Sequence, residues 1–93
     1  MKTETFADAF DALADTPAEA ANLKARADLM TAIRDRVKSW GVPEGEAAKR
    51  LGITRPRLND LTNGKLDKFS LDALVNVATS AGYVLHFELT EAA

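Results

Sequence analysis

The apolar positions of this chain change period once, near residue 83, dividing it into a helical body and a terminal segment of a different kind. Phe6, Phe10 and Leu13 fall at i, i+4 and i+7, one stripe of a short helix within 1–15 that Thr5 caps with Asp8 three residues on. So short a helix is marginal alone and must dock. Thr16, Pro17 and Glu19 form a firmer start, a capping box with proline at the first helical position. From there Leu23, Ala27, Met30, Ile33, Val37 and Trp40 recur at steps of three and four, which predicts one amphipathic helix of about six turns over 16–41, stopped at Gly41.

Residues 43–64 predict two short helices joined by a tight turn. Ala47, Ala48 and Leu51 share one face of the first, and Gly52 stands where a helix takes a left-handed stop. Ile53 is the single apolar residue of the turn, Thr54 supplies an N-cap hydroxyl, and Pro56 sits in the next first turn, where its missing amide proton costs little. Leu58 and Leu61 give the second helix a narrow apolar stripe, and Asn63-Gly64 closes it. Two helices that cross steeply over so short a turn need a small residue at closest approach, and Ala48 fills that place. Arg55, Arg57, Asn59, Asp60 and Asn63 are left to face outward.

After a connector at 66–69, Ser70 caps a support helix over 70–82 in which Leu71, Leu74, Val77, Ala78 and Ala81 repeat at helical spacing, and Gly82 ends it. Tyr83, Leu85, Phe87 and Leu89 then alternate with Val84, His86, Glu88 and Thr90, the period-two pattern of a strand over 83–90 with one apolar face. A lone strand leaves its backbone groups unpaired. It predicts antiparallel pairing with the same strand of a second copy, a self-complementary two-fold contact through Tyr83, Val84, Leu85, His86, Phe87, Glu88 and Leu89. Two other uses stay open: a strand added by another protein, and a tail folded back without strand structure.

The run EGEAAKRLGITRPRLNDLTNGK resembles the Xre/Cro/C1-type helix-turn-helix repressors. The longer pattern, from FADAFDALADTPAEAANLKAR to KFSLDALVNVATSAG, resembles HigA-like antitoxins of bacterial toxin–antitoxin modules. The resemblance covers nearly the whole chain. It implies a mainly α fold, a five-helix lambda-repressor-like bundle with one C-terminal β-strand that pairs between subunits. It further implies a sequence-specific repressor that controls its own operon. The partners implied are double-stranded DNA bearing an inverted-repeat operator, a second copy of the chain, and a small RelE/HigB-like toxin. Two departures stand out. Arg55 occupies a place commonly held by glutamine, and Pro43-Glu44 replaces the usual Thr-Gln, which brings a carboxylate toward a phosphate.

Net charge of −2 argues against a nucleic-acid partner only until it is mapped. Residues 1–22 carry one Lys against five acids and residues 69–93 three acids with no Lys or Arg, whereas residues 23–40 hold five basic and two acidic side chains and residues 49–68 six and two. Positive charge therefore gathers on the long helix and the two-helix unit. On the DNA reading, the second helix leads into the major groove. Arg55 and Arg57 take guanine, Asn59 and Asn63 adenine or a phosphate, and Asp60 cytosine or an arginine, while Lys49, Lys65 and Lys68 hold phosphates. Of the basic residues on the long helix, only Arg36 and Lys38, near its end, are candidates for a phosphate; the others read as a solvated face.

Catalytic chemistry is missing from the pattern. His86 is the only histidine and reads as a surface or interface residue, no cysteine is present, and Asp8 and Asp11 lie at ordinary helix-surface spacing. Without a phosphate-cradling glycine loop, cofactor, metal or membrane-length apolar run, the chain is expected to be a cytoplasmic non-enzyme, and the resemblance implies that it is bacterial or phage-encoded and nucleoid-associated. A second function stays open beside the repressor: a protein-binding antitoxin or adaptor that neutralises a toxin, with the two-helix unit kept as scaffold.

Overall fold

The computed structural model describes residues 15–92, so the short helix expected on Phe6, Phe10 and Leu13 lies outside the described residues. Four α-helices follow: α1 (Pro17–Trp40), α2 (Glu44–Leu51), α3 (Arg55–Thr62) and α4 (Leu71–Ser80), with a single 3-10 turn at Leu66–Lys68 inside the connector. The caps explain most of these bounds. Thr16 accepts from the Glu19 amide at 3.1 Å, Thr54 from the Arg57 amide at 3.3 Å and Ser70 from the Ala73 amide at 3.1 Å. Glu19 closes its side of the box one residue early, accepting from the Asp15 amide at 3.1 Å. Only α2 starts without a side-chain cap, because Pro43 has no hydroxyl; Glu44 and Glu46 in its first turn favour the dipole instead.

α1 lies along α4, and α2 and α3 cross at one side, so that one core joins all four helices. Ile33, Leu51, Leu58, Leu61, Phe69 and Leu74 are the largest side chains fully buried there, and Met30, Ala47 and Ala48 fill between them. Leu29, Val37, Trp40 and Ile53 pack at the edge. Phe69, expected as part of a connector, is only 2% exposed. The 3-10 turn carries it inward, with the Phe69 amide donating to the Leu66 carbonyl oxygen at 3.2 Å.

The terminal segment differs from expectation. Among the described residues no strand forms, and 83–92 is without regular secondary structure. The physical reason is that a ladder needs a second strand, and the described residues hold none to pair with it. The expected alternation persists only at its beginning. Tyr83 and Leu85 pack against the core while Val84 and His86 point out. The Tyr83 hydroxyl donates to the Ala32 carbonyl oxygen at 3.0 Å and its ring lies 4.2 Å beneath the Arg36 guanidinium. Beyond that anchor Phe87 and Leu89 are 72% and 93% exposed. The segment borders an open groove of about 420 Å³ against Leu29 and Ala32 of α1.

Candidate nucleic-acid interface

The two-helix unit is held by local bonds that its residues dictate. Gly52 takes φ +69°, the left-handed region that glycine enters without a Cβ penalty, and this lets the Ile53 amide reach the Ala48 carbonyl oxygen at 3.0 Å and the Gly52 amide the Lys49 carbonyl oxygen at 3.1 Å. The chain then reverses, Thr54 caps α3, and Leu58 and Leu61 are buried against Ala47, Ala48 and Leu51. The same double bond pattern closes α3, the Lys65 amide donating to Asp60 and the Gly64 amide to Leu61, each at 3.1 Å.

At about 100° per residue, the side of α3 opposite Leu58 and Leu61 is centred on Pro56 and Asn63, flanked by Asn59 and Asp60. Asn59 and Asn63 are both exposed. Asp60 is half-buried and lies 3.4 Å from Lys65 Nζ. Arg55, at the first position of the helix, has a side chain 69% exposed, and its Nη2 is 3.7 Å from Glu44 Oε2. The carboxylate at the corner of α2 thus turns to the arginine that opens α3. An exposed pair of this kind contributes about 0–1 kcal/mol.

Arg57 is placed differently. It falls within about 40° of Leu61 on the helical wheel, and its guanidinium lies 4.1 Å from the centroid of the Phe69 ring while Nη1 donates to the Lys68 carbonyl oxygen at 2.8 Å. Lys49, Lys65 and Lys68 are exposed and flank α3 on the sequence side of α2 and on the turn that follows. Arg36, a phosphate candidate, stacks on Tyr83; Lys38 is exposed. Arg50 is occupied by Trp40, 5.1 Å from its ring, and by Glu46 at 3.4 Å.

One residue with a structural part escaped the periodicity entirely. Arg26, read as solvated, donates from Nη1 to the carbonyl oxygens of Leu66 at 2.9 Å and Phe69 at 3.2 Å. No local signal marks a partner 40 residues away. Among the described residues no group of His, Asp or Glu is arranged to hold a metal ion, and no helix is long and apolar enough to cross a membrane.

A family model described as a helix-turn-helix domain matches residues 12–89. No curated protein matches the chain.

Proposed function

We propose that this chain, which belongs to the helix-turn-helix domain family, is a sequence-specific DNA-binding repressor that works as a homodimer. The observation that carries this reading is the outward face of α3. Asn59 and Asn63 are exposed there, Arg55 stands at its leading end, and exposed lysines precede it in the chain at Lys49 and follow it at Lys65 and Lys68. Such a face suits a helix whose N-terminal end meets base edges while the flanking lysines hold phosphates. Arg55 and Asn59 read bases, with Asp60 accepting from cytosine or holding Lys65. Lys49, Asn63, Lys65 and Lys68 set the protein on the backbone. The test is binding of a duplex followed by fluorescence anisotropy between about 50 and 200 mM salt, where several phosphate contacts make affinity fall steeply. A flat salt dependence contradicts the reading.

The dimer is supported by Val84, Phe87 and Leu89, whose exposure leaves apolar surface uncovered at the end of the chain. Antiparallel pairing of two such segments buries it and brings two recognition helices to the spacing of an operator, about 34–36 Å. Phe87→Asp is therefore expected to yield a folded monomer in sedimentation velocity. Its effect on monomer stability stays within about 0.5 kcal/mol, because the side chain touches little in the single chain. A variant that sediments as a dimer rules out pairing through this segment.

Glu44→Gln is expected to raise DNA affinity about two- to fivefold by removing a carboxylate near the phosphate path and releasing Arg55, an effect of the size of one exposed ion pair. Unchanged or weaker binding in the same anisotropy titration would show that Glu44 instead orients Arg55 for its base.

The antitoxin role follows from the HigA-like resemblance. In that role the chain controls its own operon and neutralises a small RelE/HigB-like toxin. The exposed apolar end of the chain also suits the alternative, a protein-binding antitoxin or adaptor with weak DNA binding. Co-expression with the neighbouring reading frame separates the two when followed by the anisotropy assay. A small protein that co-purifies supports the toxin partner, and steep salt-dependent binding by the chain alone argues against the adaptor.

A further inference from the structure

The turn after α3 is gripped from two sides. From α1, Arg26 reaches the carbonyl oxygens of Leu66 and Phe69, with its Nε donating to Asn22 Oδ1 at 2.7 Å. From α3, Arg57 reaches the Lys68 carbonyl oxygen and lies over the Phe69 ring. Phe69 is buried, so that ring is a fixed platform. Lys65 opens this gripped segment and Lys68 lies within it, the Lys68 amide donating to the Lys65 carbonyl oxygen at 3.0 Å.

We propose that Arg57 is a positioning residue for DNA recognition and not a reader of a base. It locks the 65–69 turn to the recognition helix, so that the phosphate contacts of Lys65 and Lys68 keep one register with the base contacts of Arg55 and Asn59. The proposal rests on the DNA reading above and names what fixes its geometry. A base-reading arginine presents both arms of its fork to guanine O6 and N7. Arg57 has one arm on a carbonyl and its face on a ring, and its place beside Leu61 turns it from the outward side. Arginine suits the task because its planar fork donates while it stacks; lysine keeps the charge and cannot do both. Loosening the clamp leaves every direct base contact chemically intact, so the loss falls on all sequences alike.

The experiment uses the full chain as wild type, Arg57→Lys, Arg57→Ala and Arg55→Ala. Each is titrated against duplexes that the wild type enriches from a randomised pool and against their single-base-pair variants. Amide exchange of the free proteins is measured alongside. Arg57→Lys, with the charge retained, is expected to bind every duplex about tenfold more weakly with the ranking of bases unchanged. Its Lys68 and Phe69 amides are expected to exchange faster than wild type while core amides of α1 do not. Arg55→Ala is expected to do the reverse, flattening preference at one base pair with exchange unchanged. Loss of preference at a single base pair in Arg57→Ala, or unaltered exchange at 68 and 69 in both Arg57 variants, overturns the positioning role. Should the wild type enrich no duplex, the DNA reading fails and this role with it. Enrichment with unaltered exchange strikes the clamp alone.

Discussion

Phe69→Ala is expected to destabilise the protein by about 3–5 kcal/mol, the cost of emptying a buried aromatic site that the surroundings fill only in part. The ring is 2% exposed and lies in the core with Ile33, Leu58, Leu61 and Leu74. It also carries the Arg57 guanidinium on one face, so the substitution removes a cation–π contact as well as apolar burial. Domains of this size have roughly 5–15 kcal/mol of stability in all, so the change consumes a large share. Urea denaturation followed by circular dichroism measures it. A loss below about 1 kcal/mol would mean that the rest of the connector, and not the Phe69 ring, holds α3 and α4 together.

Arg55→Ala is expected to cost about 1–3 kcal/mol of discrimination at one base pair, roughly five- to a hundred-and-sixtyfold, while leaving the melting temperature within a degree or two. The two halves of that expectation come from different facts. The side chain stands at the leading end of α3, where a groove-entering helix meets base edges, and it is largely exposed with Glu44 as its ion-pair partner. That pair contributes too little to register in a thermal melt. Equal binding of the variant to a preferred duplex and to its single-pair mutants confirms the assignment if the wild type separates them. Discrimination that survives intact removes Arg55 from the reading set.

Most of the body was legible because its signals are local. A hydroxyl before a helix and a glycine after it act within one turn, so Thr16, Thr54, Ser70, Gly41 and Gly52 mark ends that agree to within a residue or two with the observed helices. The stripes Met30–Ile33, Ala47–Leu51 and Leu58–Leu61 likewise point inward because their spacing leaves them one side to share. What was not legible depends on residues far apart. Arg26 and the carbonyl oxygens it serves are separated by 40 and 43 positions, and its spacing on α1 is that of any solvated arginine. Phe69 reads as a connector because a 3-10 turn of three residues leaves no period to detect. Arg57 is an intermediate case. Its angle to Leu61 is fixed by helix geometry and was available from spacing alone, but the ring that captures it comes from a segment whose path was not.

The end of the chain shows the limit from the other side. Alternation at 83–90 reports a segment with two distinct sides, and the fold satisfies the apolar one only at Tyr83 and Leu85, through the Ala32 carbonyl bond and the core beneath. A pattern of period two says that a partner is wanted and not which one.

Selection of duplexes from a randomised pool by this chain tests sequence-specific DNA binding most directly, because the pool offers every candidate operator at once. An inverted repeat is predicted, with half-site centres about one helical turn apart and one base pair in each half-site whose preference disappears in Arg55→Ala. A pool that stays random after repeated selection, at salt low enough for the chain to bind DNA at all, would contradict it.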